Sequence, residues 1–299
     1  MIAELIRKGP TRPAPAHCYA AGGSGSVSDE KPGGQGAAAG SAEAVAVDVR
    51  TLLAATTVEQ ACATAERYFA QLESWDHHLA KPFSGPEDAP ALLVALGTVL
   101  QGLALSPGLA VLDFGAGTCW ATRLLCQMGL RVVAADVSAT ALRIGAELLR
   151  RQPVIGDRPA PRFLPFDGHR LDLPDGSVDR VLCLDALHHV PNQREVLGEL
   201  ARVLADGGVA GFSEPGPDHS RTPQSQYEMR TFGVVENDVR IEEVWEHARA
   251  AGFTALRLAA FSVPGLLLSW PGPLPNRHRC RPPLRFPQAF VVVVIVLRR

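Results

Sequence analysis

The sequence predicts an α/β fold: a doubly wound, mostly parallel sheet of seven strands with an N-terminal helical cap. Three observations predict it. From residue 107 onward, short apolar runs alternate with helix-length amphipathic runs, the pattern of βαβ units and a parallel sheet. The first of these runs ends in a glycine-rich turn, Gly115-Ala-Gly117, that leads into a helical pattern. Finally, the 299 residues are 46% hydrophobic and 20% charged, the balance of an ordinary globular chain, which excludes a wholly disordered protein, a collagen and a coiled-coil rod.

Residues 9–46 are rich in Gly, Pro, Ala and Ser, and Tyr19 is their sole aromatic residue. Such a stretch buries too little apolar surface to offset its ordering entropy, so residues 1–46 read as a disordered leader. No unbroken apolar core precedes a small-residue cleavage site, and no signal peptide is expected. Residues 47–106 read as the helical cap. Thr57 or Thr56 caps a helix toward Trp75 that carries Val58, Cys62, Ala65, Phe69 and Leu72 on one face. The segment Trp75–Phe83 follows, and a second helix over 88–104 stops at Ser106-Pro-Gly108.

Residues 107–299 read as the main domain. Strands are expected at 110–114, 132–135, 162–164, 180–184 and 209–212, with helices at 118–128, 139–151 and 192–204 between them. A polar insertion, 214–238, precedes a helix at 240–250 that ends at Gly252. Strands at 254–262 and 289–297 close the chain. The Pro- and Arg-rich stretch 263–288 resists assignment. The apolar run 289–297 is far shorter than the roughly 20 residues of a membrane helix and reads as a buried strand.

A formal net charge of −2 leaves no global basic excess for nucleic acid or an anionic membrane. The six cysteines form no CxxC pair, so free thiols in a reducing compartment are expected, and the chain reads as cytoplasmic.

The site-bearing pattern begins with Asp113-Phe-Gly115-Ala-Gly117, and Asp136 closes the second strand. A glycine turn lets a ligand approach the backbone, the next helix start offers free N–H groups, and a carboxylate at the second strand's end can accept both hydroxyls of a ribose. Together they specify a nucleoside-containing ligand at the carboxyl edge of the sheet. A dinucleotide is disfavoured, because Trp120 stands where its fingerprint needs a third glycine, and no tyrosine has a lysine four residues on.

Asp113-x-Gly115-x-Gly117 with Asp136 resembles instead the Rossmann-like, class I S-adenosylmethionine-dependent methyltransferases of the small-molecule type. The resemblance continues through Asp167-Gly168, Leu173-Pro-Asp-Gly-Ser-Val-Asp179, Asp185-Ala-Leu-His-His-Val-Pro191 and Leu200-Ala-Arg-Val-Leu-Ala-Asp-Gly-Gly208, covering roughly 107–262. Cys119 replaces the family's third motif glycine. The resemblance implies S-adenosyl-L-methionine as cofactor, bound by Asp113, Gly115, Gly117, Asp136, Val137, Asp167, Gly168 and Asp185. In the family, the acid at Asp167 contacts the adenine amino group.

The implied reaction is displacement at a sulfonium methyl, so the enzyme chiefly positions the acceptor and excludes water. His188, His189 and Glu214 are the catalytic candidates, for a base is needed when the acceptor is a hydroxyl. The acceptor pocket is expected from 220–238, with Tyr227, Glu228, Arg230 and Phe232, and from Trp75–Phe83, which could close over the donor. These aromatic and charged residues suit a sugar or small metabolite, and O-methylation of such a small-molecule acceptor is the expected activity. N- or C-methylation, or a non-catalytic binding subunit, are the alternatives. His77, His78, Glu214 and His219 come from separate segments without ligand spacing, and no metal is expected.

Overall fold

The computed structural model describes residues 46–262 and 291–299. The expected leader, save residue 46, and the stretch 263–288 lie outside the described residues. Within them run α1 (Val49–Ala55), α2 (Val58–Ala70), α3 (Asp76–Ala80), α4 (Ala89–Leu103), β1 (Ala110–Phe114), α5 (Trp120–Gln127), β2 (Arg131–Asp136), α6 (Ala139–Arg151), β3 (Arg162–Pro165), β4 (Val178–Leu184), α7 (Gln193–Val203), β5 (Leu204–Pro215), α8 (Pro223–Phe232), α9 (Ile241–Ala250), β6 (Ala255–Ser262) and β7 (Val291–Arg298).

Local chemistry sets the boundaries. Thr57 and Gln60 form a reciprocal capping box at the start of α2, satisfying two backbone donors that the helix leaves open. The Ser138 hydroxyl accepts the Ala141 N–H at the start of α6. Gly233, in the left-handed conformation, closes α8.

The strands form one sheet in the order β3-β2-β1-β4-β5-β7-β6. β1 to β5 are parallel, and β7 runs antiparallel between β5 and β6. A strand with neighbours on both sides explains why Val291–Leu297 is a continuous apolar run. Alternation along each strand feeds two cores. Val111 and Leu182 join Leu96, Val99 and Leu125 of α4 and α5 on one face. Leu112, Phe114, Val181 and Cys183 join Leu197, Leu200 and Val244 of α7 and α9 on the other. Burying each such leucine contributes roughly 1.5–3 kcal/mol.

The strand order positions the site. β1 pairs with both β2 and β4, and the helices following β1 and β4 leave toward opposite faces. The carboxyl ends of these strands therefore border a crevice, where ligands of open α/β sheets bind.

Among the described residues, α1, α3 and α8 are helices that the sequence pattern does not lead one to expect. The polar insertion carries α8, whose buried residues include Ser225, Gln226 and Glu228. A helix that buries polar side chains shows no apolar stripe, so periodicity does not reveal it.

Candidate functional site

A cavity of about 220 Å³ opens at this crevice. Its floor is the turn between β1 and α5. Gly115 and Gly117 take φ values of +65° and +52°, where a side chain is strained. A Cβ on Gly115 would lie 2.4 Å from the Ala186 Cβ, whereas one on Gly117 would meet nothing within 4 Å. Gly117 lines the cavity, so its missing side chain is open space available to a ligand.

Asp136 stands beside this turn. Its Oδ2 accepts the Gly117 N–H and its Oδ1 the Ser138 N–H, each at 2.8 Å. Burial raises its pKa above the usual carboxylate value, and the two N–H groups oppose that rise. Each oxygen keeps a lone pair, so the anchored carboxylate can still accept hydroxyl protons. Val137, Gly168 and Asp185 complete this end of the cavity.

Two expected contacts lie elsewhere. Asp113 is 2% exposed, does not line the cavity, and accepts the Thr122 hydroxyl. It points into the α5 face of the sheet because β1 alternates, and there it ties the turn to α5. The exposed Asp167 also stays off the wall. Its Oδ1 accepts the N–H groups of His169 and Arg170, capping its own turn.

Helix α2 covers one side. A Cβ on Gly168 would lie 2.3 Å from Val58 Cγ1, so the cap helix packs directly on that glycine. Glu66 hooks α2 to the start of α6. It accepts the Ser138 hydroxyl at 2.7 Å, the Thr140 hydroxyl at 2.6 Å and the Thr140 N–H at 3.0 Å. An anion there is favoured by the helix dipole.

Beyond the turn the cavity becomes apolar, with Ala61, Ala65, Tyr68, Phe69, Leu92, Val234 and Val235 on its walls. The insertion contributes through Gly233, Val234 and Val235, while Tyr227, Glu228, Arg230 and Phe232 do not line it. From the Trp75–Phe83 segment come His78 and Lys81. Burial lowers the Lys81 pKa, against the opposing charges of Asp185 and Asp88.

His189 lines the cavity, but His188 and Glu214 stand behind it as a buried pair. Glu214 Oε2 meets His188 Nδ1 at 2.8 Å, and its oxygens accept the N–H groups of Ala186, Leu187 and His188. Burial alone would push the Glu214 carboxyl up; His188 and these N–H groups reverse the effect and hold it below its usual value. Glu214 thus fixes the turn after β4. His189 Nδ1 donates to the Val235 carbonyl at 2.8 Å and lies 3.4 Å from Glu236 Oε1. Burial pulls the His189 pKa down, but the Glu236 charge and the Val235 carbonyl lift it above the ordinary histidine value.

Glu236 belongs to no motif in the sequence. It is 3% exposed and joins His219 Nε2 at 2.7 Å. Its signal was limited to one acid inside a polar insertion. The set His77, His78, Glu214 and His219 does not converge. Among the described residues it is His188, His189 and Glu236 whose candidate ligand atoms lie within 4.8 Å of one another. The described cysteines Cys62, Cys119, Cys126 and Cys183 are free thiols. Cys119 stands at the N-cap of α5 in the left-handed conformation, and Cys126 is buried within that helix. No described helix is long and apolar enough to cross a membrane.

A doubly wound sheet with a glycine turn, an anchored acid at the end of β2 and a capped crevice defines a nucleoside-binding α/β protein. Residues 112–212 match the methyltransferase domain family. A demethylmenaquinone methyltransferase of Mycolicibacterium gilvum is 36% identical over 184 residues, 57% of this chain and 75% of that protein. The chain belongs to the class I S-adenosylmethionine-dependent methyltransferases. A demethylmenaquinone methyltransferase of Renibacterium salmoninarum is 34% identical over 142 residues, 46% of this chain and 56% of that protein. The chain thus spans somewhat more than half the length of the first curated relatives it matches. A mycolic acid cyclopropane synthase solved with SAH and CTAB shares the fold, with a TM-score of 0.54 at 19% identity, over 67% of this chain and 77% of that one.

Proposed function

We propose that this chain methylates a ring carbon of a hydroxylated, quinol-type aromatic acceptor, using S-adenosylmethionine. The observation that carries the reading is the continuity of one cavity, from the Gly115–Gly117 turn and Asp136 to an apolar chamber with His189 at its wall. The names of the relatives, demethylmenaquinone methyltransferases, support the same acceptor class.

Asp136 would hold the ribose hydroxyls with its remaining lone pairs, and the open space at Gly117 admits the donor close to the backbone. Val137 and Gly168 would flank the adenine, and Asp185 the methionine end. When bound, S-adenosylmethionine supplies a methyl group already activated on a sulfonium. The protein's own task is then orientation and exclusion of water. Tyr68, Phe69, Leu92, Val234 and Val235 give an apolar surface suited to a ring and few partners for the several hydroxyls of a sugar. Sugar O-methylation is therefore the weaker reading. His189, with His78 and Lys81, is among the polar groups on the cavity wall that a ring oxygen would meet. Its contact would favour the oxyanion, whose electron density makes the neighbouring carbon nucleophilic.

The test is to incubate the protein with methyl-labelled donor and a short-chain demethylated naphthoquinol, then to locate the label by mass spectrometry and NMR. Label on a ring carbon is expected. His189 equally suits O-methylation of the ring hydroxyl, and label on oxygen would select that second reading. No S-adenosylhomocysteine formed with any hydroxylated ring would favour a non-catalytic binding subunit.

A further inference from the structure

We propose that His188, His189 and Glu236, with His219 beside them, form a binding site for a first-row divalent transition-metal ion at the inner edge of the cavity. The inference stands on the geometry of the cluster and does not depend on which acceptor the cavity takes.

One ring nitrogen of each of His188 and His189 and one carboxylate oxygen of Glu236 lie within 4.8 Å of one another. Glu236 Oε2 is 4.0 Å from His188 Nε2 and 2.7 Å from His219 Nε2, and Oε1 is 3.4 Å from His189 Nδ1. These separations approach those between ligands that share one ion with bonds of about 2.0–2.2 Å, and His189 Nδ1 would give up its proton and its hydrogen bond to the Val235 carbonyl on binding the ion. Imidazole and carboxylate donors together suit zinc and its first-row neighbours.

Two further observations point to an ion. Glu236 is 3% exposed, and its Oε1 makes no well-formed hydrogen bond among the described residues; His189 Nδ1 stands 3.4 Å from it and the Glu228 carboxyl borders the same side chain. A buried carboxylate oxygen left in that state is costly unless a cation meets it. His188 is also set as ligating histidines are set. Its Nδ1 is held by the Glu214 carboxylate at 2.8 Å, which leaves Nε2 as the lone-pair nitrogen turned toward Glu236. A carboxylate behind the ring fixes the tautomer and the ring's direction in this way at metal centres. Glu214 would thus be a positioning residue, which accounts for its burial away from the cavity. His189 belongs both to the cluster and to the cavity wall, so an ion here would border the acceptor chamber.

The test uses untagged full-length protein, stripped by a chelator and titrated with Zn²⁺ by calorimetry and with Co²⁺ by visible absorption. One ion per chain is expected, with the intense ligand-field bands of a low-coordinate nitrogen and oxygen site. Glu236→Gln and His188→Asn are each expected to weaken binding roughly tenfold or more. Either substitution could disturb folding, so the unsubstituted protein carries a second readout, paramagnetic broadening by Co²⁺ of the His188 and His189 ring protons. No saturable uptake, a weak octahedral spectrum, unbroadened His188 and His189 signals, or undiminished affinity in folded Glu236→Gln would each overturn the proposal. In that case the cluster is a hydrogen-bonded set of imidazoles and carboxylates.

Discussion

Gly145 of α6 leaves the space that the Cys119 side chain occupies: a Cβ on Gly145 would lie 2.4 Å from Cys119 Sγ and 2.6 Å from its Cβ. Cys119 is a non-glycine residue at φ +62°, at the position where the family resemblance implies a third motif glycine. The side chain gained at one position is matched by its absence at the other. Gly145→Ala should therefore destabilise the fold by about 1–3 kcal/mol through overpacking. In a Cys119→Gly background the same change should cost much less. Denaturant midpoints of the two single variants and the double variant measure the coupling, and additive losses would contradict it.

Asp136→Ala should weaken donor binding by about 1–3 kcal/mol, the scale of hydrogen bonds to a charged group. Part of the loss would come from the turn, since Asp136 also holds the Gly117 and Ser138 N–H groups. Calorimetry on a variant with unchanged circular dichroism is the measurement.

Asp113 sets a pH dependence of stability. Burial pushes its carboxyl up to about 7, with Thr122 opposing and the Asp136 charge adding. The unfolded value is about 3.9, so the folded pKa is the higher one. The unfolded chain then holds fewer protons between these values, and this group's contribution falls as pH rises from about 4 to about 7, then stays flat. Asp113→Asn, which keeps an acceptor for Thr122, should remove that slope. Its melting temperature relative to wild type should rise from pH 4 to pH 8, and a constant difference would refute the assignment.

Glu66→Ala should loosen the cap. Three hydrogen bonds from one half-buried carboxylate tie α2 to the start of α6. Loss of about 1–2 kcal/mol is expected, with faster amide exchange in α2 than in β1. Equal acceleration throughout would show that α2 is not a separate, locally opening unit.

His189→Ala should lower turnover more than donor affinity, because His189 lines the cavity toward the acceptor chamber. Equal kcat in variant and wild type would remove it from the reaction.

Much of the sheet was legible because its strands are short apolar runs that end at glycines and acids. Gly115, Gly117 and Asp136 line the cavity and were legible because turn chemistry acts locally in sequence. Three parts were hidden. Helix α8 buries Ser225, Gln226 and Glu228 and so lacks an apolar stripe. Glu236 acquires meaning only when the insertion folds back on His189 and His219. The directions of Asp113 and Asp167 depend on strand alternation and on a turn that consumes its own carboxylate. Spacing alone carries neither.

The β1–α5 turn and Asp136 would together hold the adenosyl part of the donor. Titration of the purified protein with S-adenosylhomocysteine tests it most directly. One molecule should bind per chain, with affinity reduced about tenfold or more in folded Asp136→Ala. Absence of binding, or binding indifferent to that substitution, would contradict the account.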